Sequence, residues 1–198
     1  MIRPAILSVA LLSASCATPH ASEDLIAFEA ALDGDDSATR VLERWCTLRG
    51  MADPARVRAQ VLHGPVPPLD AQGRLAMGLG PHDELGYRHV RLWCGGRMLS
   101  EAHNWYVPAY LSDAMRQALD ETDVPFGQVA APLGFRRERV ASLRGRGPGC
   151  PPGTVLTHQA RLRLPDGRVL ASLIECYDGA IMARGPAHAP ARSGPPPG

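Results

Sequence analysis

The chain of 198 residues contains no lysine, so all 21 of its basic residues are arginine. They are nearly balanced by 20 acidic residues, and no broad basic field stands out. That balance argues against nucleic acid as a partner. The apolar run at residues 5–12 is too short to span a membrane as a helix. The length suits one domain of ordinary size rather than two.

Several sequence motifs that indicate a particular class of enzyme reaction are also missing. The sequence has no nucleophile elbow and no phosphate-binding glycine loop, because the glycines at 145–149 follow a strand but precede no helix. It has no Cys-x-x-Cys and no Cys/His spacing typical of a metal site. We therefore expect neither a metal nor an organic cofactor.

Residues 1–21 have the pattern of a secretory signal. Arg3 precedes the apolar run at 5–12, and small residues follow it at 13–16. A cytoplasmic protein with an apolar N-terminal helix is the less favoured alternative, because Pro19 would break that helix. We expect a periplasmic or secreted protein. Cys16 resembles a bacterial lipoprotein cleavage site, although Leu12 lies one position too far upstream, so anchoring through Cys16 to the inner or outer membrane stays open.

Four cysteines follow this segment, namely Cys46, Cys94, Cys150 and Cys176. In an oxidising compartment, this even number permits two disulfides in one of three pairings. Buried free thiols are the alternative, because Cys94 and Cys176 fall in predicted core strands, where free cysteine is common.

Hydrophobic periodicity predicts helices first and mostly strands afterwards. Helices are predicted at 22–32, capped by Ser22, at 38–48, capped by Asp36 or Ser37, and from Ser112 to about 121, with a helical turn at 125–129. Strands are predicted at 56–63, 85–94, 97–107, 135–143, 154–164 and 168–178. The Pro/Gly-rich connector at 64–81 is predicted to have no regular element.

The turn signals link these strands into hairpins, of which Gly95-Gly96 and Asp166-Gly167 are the clearest. The sequence therefore predicts an α+β domain at 22–184, with a single antiparallel sheet of about six strands and helices on one face. Residues 185–198, rich in Pro, Ala and Gly, are predicted to be a disordered tail.

Two charges fall on apolar strand faces. Arg88 shares its face with Val90 and Leu92, and a buried arginine must meet a carboxylate or a bound anion. A guanidinium is suited to holding a carboxylate with two parallel hydrogen bonds. Glu175 interrupts another apolar face, where a carboxyl group is suited to moving a proton. The alternative for both is a structural ion pair, with Glu175 bound to Arg88 or to another arginine.

Other polar residues allow two interpretations. One set either contacts an aromatic ligand or packs within the sheet: His103, Asn104, Trp105 and Tyr106. A second set either attracts anions at a rim or forms a solvated strand face, which is the expected case: Arg136, Arg137 and Arg139. Three single histidines are expected at the surface: His63, His89 and His158.

Several segments, in this order, resemble the chorismate pyruvate-lyase family. They are residues 36–40, 88–92 (RHVRL), 102–108, 122–127 (TDVPFG), 161–164 and 173–175. The family consists of small α+β proteins with an antiparallel sheet and an enclosed pocket for an aromatic acid. Its members split chorismate into 4-hydroxybenzoate and pyruvate without a metal or an organic cofactor.

The resemblance implies roles for four residues. Arg88 would hold the ring carboxylate, and the backbone N–H groups of Ala38 and Phe126 would complete its cradle. Glu175 would face the ring hydroxyl and assist the proton shift that accompanies loss of the enolpyruvyl group. The family usually has larger apolar side chains, Met and Leu, at the positions of Ala38 and Phe126.

Three functions follow from these features. The first is a lyase that acts on chorismate or a related enolpyruvyl aromatic acid. The second is a non-catalytic periplasmic protein that binds a small aromatic carboxylate, which the predicted export favours because chorismate is not ordinarily made outside the cytoplasm. The third is an envelope lipoprotein whose pocket is filled by its own side chains and whose fold serves protein contacts. In each case we expect a monomer.

Overall fold

The structure of the protein, a computed structural model, describes residues 19–185. All but the last three residues of the predicted signal at 1–21, and all but the first residue of the predicted tail at 185–198, lie outside this range. Within it, no helix is long and apolar enough to cross a membrane.

In the described part of the chain, six strands form one antiparallel sheet in the order β1-β2-β3-β6-β5-β4. They are β1 (Val57–Val61), β2 (Gly86–Cys94), β3 (Arg97–Tyr106), β4 (Arg136–Arg144), β5 (Thr154–Arg163) and β6 (Val169–Asp178). The predicted hairpin turns connect β2 to β3 and β5 to β6. Each contains a glycine in the left-handed region, Gly95 at φ 57° and Gly167 at φ 89°, which other residues adopt only with strain. The predicted sheet is confirmed.

Within residues 19–185, five helices accompany the sheet. They are α1 (Pro19–Asp33), α2 (Ala38–Leu48), α3 (Ala71–Ala76), α4 (Asp113–Glu121) and α5 (Phe126–Val129), with short 3-10 turns at Pro108–Tyr110, Ala131–Leu133 and Gly179–Met182. Helices α2 and α4 begin at the predicted caps, where Ser37 accepts a hydrogen bond from the Arg40 N–H at 3.3 Å and Ser112 accepts one from the Met115 N–H at 3.2 Å.

Two helix predictions need correction. The prediction that Ser22 caps α1 is wrong, because the helix already begins at Pro19. The connector at 64–81 contains α3, because Asp70 accepts a hydrogen bond from the Gly73 N–H at 2.6 Å and so caps a short helix despite the surrounding prolines and glycines.

The core lies between the helices and one face of the sheet. Near α1 and α2, the Phe28 ring contacts the edges of Trp45 and Tyr177, each with ring centroids 5.1 Å apart. Near α4 and α5, Leu119 and Phe126 are buried in a second apolar cluster. These helices therefore cover one face, as predicted. The connector reaches the opposite face, where the Trp105 indole donates to the Pro67 carbonyl at 2.9 Å.

Residues 19–185 contain two disulfides, which makes the free-thiol alternative wrong for Cys46, Cys94, Cys150 and Cys176. Cys46–Cys94 joins α2 to β2 with a Cα–Cα distance of 6.5 Å. Cys150–Cys176 joins the loop after β4 to β6 with a Cα–Cα distance of 5.5 Å. The first disulfide fixes the helical layer to the sheet, and the second fixes a loop to the opposite face.

Candidate ligand site

Side chains from neighbouring strands line up in rows on the helix-covered face of the sheet, because the antiparallel register places them side by side. Three rows cross β2, β3 and β6: Arg88–Asn104–Leu173, Val90–Ala102–Glu175 and Leu92–Ser100–Tyr177. Polar groups are thus placed among apolar neighbours, with Arg88 and Glu175 one row apart and on different strands.

A cavity of about 50 Å³ lies between these rows and helices α2 and α5. Its apolar walls are formed by Leu42, Val90, Leu92, Ala102, Phe126, Phe135, Leu162 and Leu173. Its polar lining includes Ser37, Thr39, Asn104, Arg137, Glu175 and Tyr177. An engineered cavity that binds benzene measures about 150 Å³, so a benzoate-sized ligand requires these walls to separate.

The N-termini of α2 and α5 meet at this cavity. A Cβ atom on Gly127 would lie 3.2 Å from the Thr39 hydroxyl oxygen and 3.4 Å from that of Ser37, so glycine permits the close approach of the two helices. The N–H groups of Ala38 and Phe126 belong to the first helical turns and have no partner within their helices. Partial positive charge at the start of α2 favours an anion there. Ala38 and Phe126 both line the cavity.

Arg88 is buried, with 5% of its surface exposed. Its guanidinium donates to the carbonyls of Val124 at 3.0 Å and Thr122 at 3.3 Å, whereas its Nε has no partner among the described residues. No carboxylate of residues 19–185 lies within ion-pair distance of it, so the ion-pair alternative fails for this residue within that range. Burial lowers the pKa of Arg88. The side chain does not itself line the cavity and instead supports the segment that precedes α5.

Glu175 lines the cavity and is 6% exposed. It forms an ion pair with Arg137 and accepts a hydrogen bond from the Tyr177 hydroxyl at 3.1 Å. The structural ion-pair alternative therefore holds for Glu175, with Arg137 as its partner. Arg88 and Glu175 belong to the same site region but do not contact each other.

Arg137 is the residue of this site that sequence reasoning missed. It was expected on a solvated face, yet its side chain is only 2% exposed. The strand turns Phe135 and Arg137 alike toward the cavity, and Asp36 accepts a hydrogen bond from the Arg137 backbone N–H at 3.2 Å. The sequence does indicate this orientation, because Arg137 is two residues after Phe135 and alternate residues of a strand lie on the same face. By contrast, the nearby Arg136 is exposed.

His158 was expected at the surface and is fully buried. Its Nδ1 lies 3.0 Å from a guanidinium nitrogen of Arg137, which can only donate, so the imidazole proton is on Nε2. Burial lowers the pKa of His158 and keeps it neutral. It extends the polar network beneath Glu175 without adding a charge.

The aromatic stretch on β3 divides between the two faces. Asn104 lines the cavity, and Tyr106 packs on Phe126 with ring centroids 5.3 Å apart. His103 and Trp105 lie on the opposite face and do not contact the cavity. Within the described residues, the side chains of Asn104 and Thr39 make no hydrogen bond, so both are available to a ligand.

The chain is 34% identical over 165 residues to the uncharacterized protein y4mC of Sinorhizobium fredii, a match that covers 74% of this chain and 70% of y4mC. The chain belongs to the y4mC family. No protein-family model matches it.

Two solved structures share the fold of this y4mC-family chain. The effector domain of PhnF from Mycobacterium smegmatis superposes with a TM-score of 0.53 at 10% identity, covering 73% of this chain and 89% of that domain. PhnF from the same organism superposes with a TM-score of 0.53 at 12% identity, and the match covers 77% of this chain and 68% of PhnF. Such low identity shows the fold alone, which is the predicted chorismate lyase-like α+β fold.

Proposed function

We propose that this y4mC-family protein binds a small aromatic carboxylate in the cavity beneath α2 and α5. The observation that carries this proposal is the balance of buried charge. Arg88 and Arg137 are two buried cations, whereas Glu175 is the buried carboxylate among them. Around this cavity, and within residues 19–185, one positive charge therefore lacks a buried counter-charge, and burying an unpaired charge is costly. Arg88 does not line the closed cavity, so a single ligand carboxylate would supply this counter-charge once the cavity walls separate.

The proposed ligand has its carboxylate toward the N-termini of α2 and α5, near the Ala38 and Phe126 N–H groups and on the side of Arg88. Its ring lies among the apolar walls, and a polar substituent points toward Asn104 or Glu175. Apolar walls with a few converging polar groups are typical of small-molecule sites. The likeness to a domain that is named for its effector agrees with a binding role.

A ligand that binds the folded state raises the melting temperature. At 100 times its dissociation constant, 4-hydroxybenzoate is expected to stabilise the protein by about 2.7 kcal/mol, a rise of about 5–10 °C for a chain of this size. Neutral 4-hydroxybenzamide is the matched ligand and should give little shift, because it lacks the carboxylate. The measurement is a thermal melt of the signal-free chain.

A variant tests the charge argument. Arg88→Met should abolish the shift with 4-hydroxybenzoate, whereas Arg146→Met, which alters an exposed loop arginine, should preserve it. Equal shifts with the acid and the amide would contradict the carboxylate proposal. No shift across a panel of hydroxybenzoates would favour the third function, in which the protein's own side chains fill the pocket.

A second candidate function is the lyase reaction, and the position of Glu175 in the cavity supports it. In that reaction the C–O bond of the enolpyruvyl ether breaks and the ring loses a proton and becomes aromatic. The methylene carbon of the departing enolpyruvyl group gains a proton, and pyruvate leaves. Glu175 would assist the proton shift. The lyase ranks second because Glu175 shares its carboxylate with Arg137 and Tyr177.

Incubation with chorismate separates the two functions. A lyase forms 4-hydroxybenzoate and pyruvate in equal amounts, and Glu175→Gln should reduce this rate by about 100-fold or more, which is the lower end of the range for general acid-base catalysis. A binding protein forms neither product yet still shows the thermal shift. Chromatography of the reaction mixture gives both products directly.

We also propose that the protein works outside the cytoplasm. The two disulfides support this location, because disulfides persist mainly in oxidising compartments. Fractionation of cells that express the full chain, followed by mass analysis for a lipidated Cys16, tests both the location and the anchor.

A further inference from the structure

A second group of polar side chains lies on the other face of the sheet, away from the cavity. His89 on β2 and His103 on β3 are directly opposite each other in the register, and Glu101 is two residues before His103. All three point away from the helices because alternate residues of a strand face opposite sides.

The geometry of these three side chains is compact. The two imidazole rings stack with centroids 4.1 Å apart at an angle of 18°. The His89 Nε2 lies 2.8 Å from a carboxylate oxygen of Glu101. One ligand atom from each of the three residues lies within 4.8 Å of the others. Glu101 is 6% exposed, so the carboxylate is held below the surface.

Neighbouring groups orient these side chains. Arg91 donates to the second oxygen of Glu101 at 2.9 Å. One ring nitrogen of His103 lies 3.2 Å from the Gly149 carbonyl, which can only accept, and the other lies 2.7 Å from the Tyr87 hydroxyl. Metal-bound histidines and carboxylates typically have such partners on their remaining atoms.

We propose that His89, Glu101 and His103 form a binding site for a divalent late transition metal ion such as Zn²⁺. Two imidazole nitrogens and one carboxylate oxygen are a ligand set that zinc accepts, with a fourth position for water. Imidazole ligands select zinc or copper over calcium and magnesium, which prefer oxygen ligands. The ion would replace the proton that His89 and Glu101 share, and one ring nitrogen of His103 would give up its present hydrogen-bond partner to bind the ion. Arg91 would keep its bond to the outer oxygen of Glu101.

Calorimetric titration of the untagged, signal-free chain with ZnCl₂ tests the site after treatment with a chelator. We expect one Zn²⁺ per chain and no binding of Ca²⁺ or Mg²⁺ under the same conditions. His89→Ala and His103→Ala should each weaken Zn²⁺ binding at least tenfold. His63→Ala, which removes an exposed histidine outside the cluster, is the matched control and should bind as the original chain does.

A second readout separates ligation from a structural role. Co²⁺ bound at low coordination number absorbs in the visible region, so the original chain should acquire such a band and the two cluster variants should lose it. His103→Asn serves if His103→Ala melts early. Absence of Zn²⁺ binding, or equal losses in His63→Ala and His89→Ala, would overturn the proposal. The 4-hydroxybenzoate shift should persist in every variant, because the two sites lie on opposite faces.

Discussion

Glu175→Leu is expected to lower the free energy of unfolding by about 3–5 kcal/mol, because it leaves the buried Arg137 without a counter-charge. Arg137 is 2% exposed on its side chain and has no other carboxylate within ion-pair distance in residues 19–185. The Tyr177 hydroxyl also loses its acceptor. Urea denaturation followed by circular dichroism measures the loss directly.

The double variant provides the control. Arg137→Met together with Glu175→Leu removes both charges, so its loss should be smaller than that of Glu175→Leu alone, as is often found when buried ion pairs are replaced by apolar residues. The coupling between the two changes is the measured quantity. The loss of unfolding free energy in the double variant could instead equal the sum of the losses in Arg137→Met alone and Glu175→Leu alone. In that case the ion pair would have no special role in the folded state.

Removal of the Cys46–Cys94 disulfide is expected to lower the free energy of unfolding by about 4 kcal/mol, because this disulfide closes a long loop. The two cysteines are separated by 48 residues in the sequence. A variant with both cysteines changed to alanine should melt about 8–16 °C lower. The Cys150–Cys176 disulfide spans 26 residues, and its removal should cost about 3.5 kcal/mol.

Limited reduction distinguishes the two disulfides in the folded protein. Cys46 and Cys94 are both fully buried, whereas Cys150 is partly exposed beside its buried partner Cys176. Mild dithiothreitol should therefore reduce Cys150–Cys176 first, which alkylation and peptide mass analysis would show. Reduction of Cys46–Cys94 before or together with it would contradict the burial seen here.

Local signals in the sequence were sufficient for most elements of the fold. Caps at Ser37 and Ser112, and the glycine turns at Gly95 and Gly167, act over a few residues and are visible in the sequence itself. Helix α3 was not predicted, because its single cap, Asp70, lies in a segment where prolines and glycines predict a loop.

The site could be predicted only in part, because it depends on contacts between distant segments. Strand alternation was sufficient to place Arg88 and Glu175 on the inner face. It did not reveal that Arg137 on β4 would reach Glu175 on β6, since β5 lies between these two strands in the sheet. The fully buried His158 was missed for the same reason, because its burial requires α1 above it.

The cluster of His89, Glu101 and His103 depends on an irregularity in the pairing of β2 with β3 that no short sequence motif predicts. Trp93 pairs with Met98 and Leu92 pairs with Ser100, so Leu99 is an extra residue in β3. This bulge shifts the register beyond it by one residue and brings His103 opposite His89. A regular hairpin from Gly95-Gly96 would have placed Ala102 there instead.

The attachment of α2 to the sheet has a consequence for how a ligand reaches the cavity. Cys46 links this helix covalently to β2, so the wall that contains Ala38 and Thr39 is tethered. The facing wall at Phe126 has no such link and depends on apolar packing and on two hydrogen bonds from Arg88 to the backbone before it. The cavity should therefore widen by outward movement of α4 and α5. This movement would break the two hydrogen bonds that Arg88 donates to the backbone before α5.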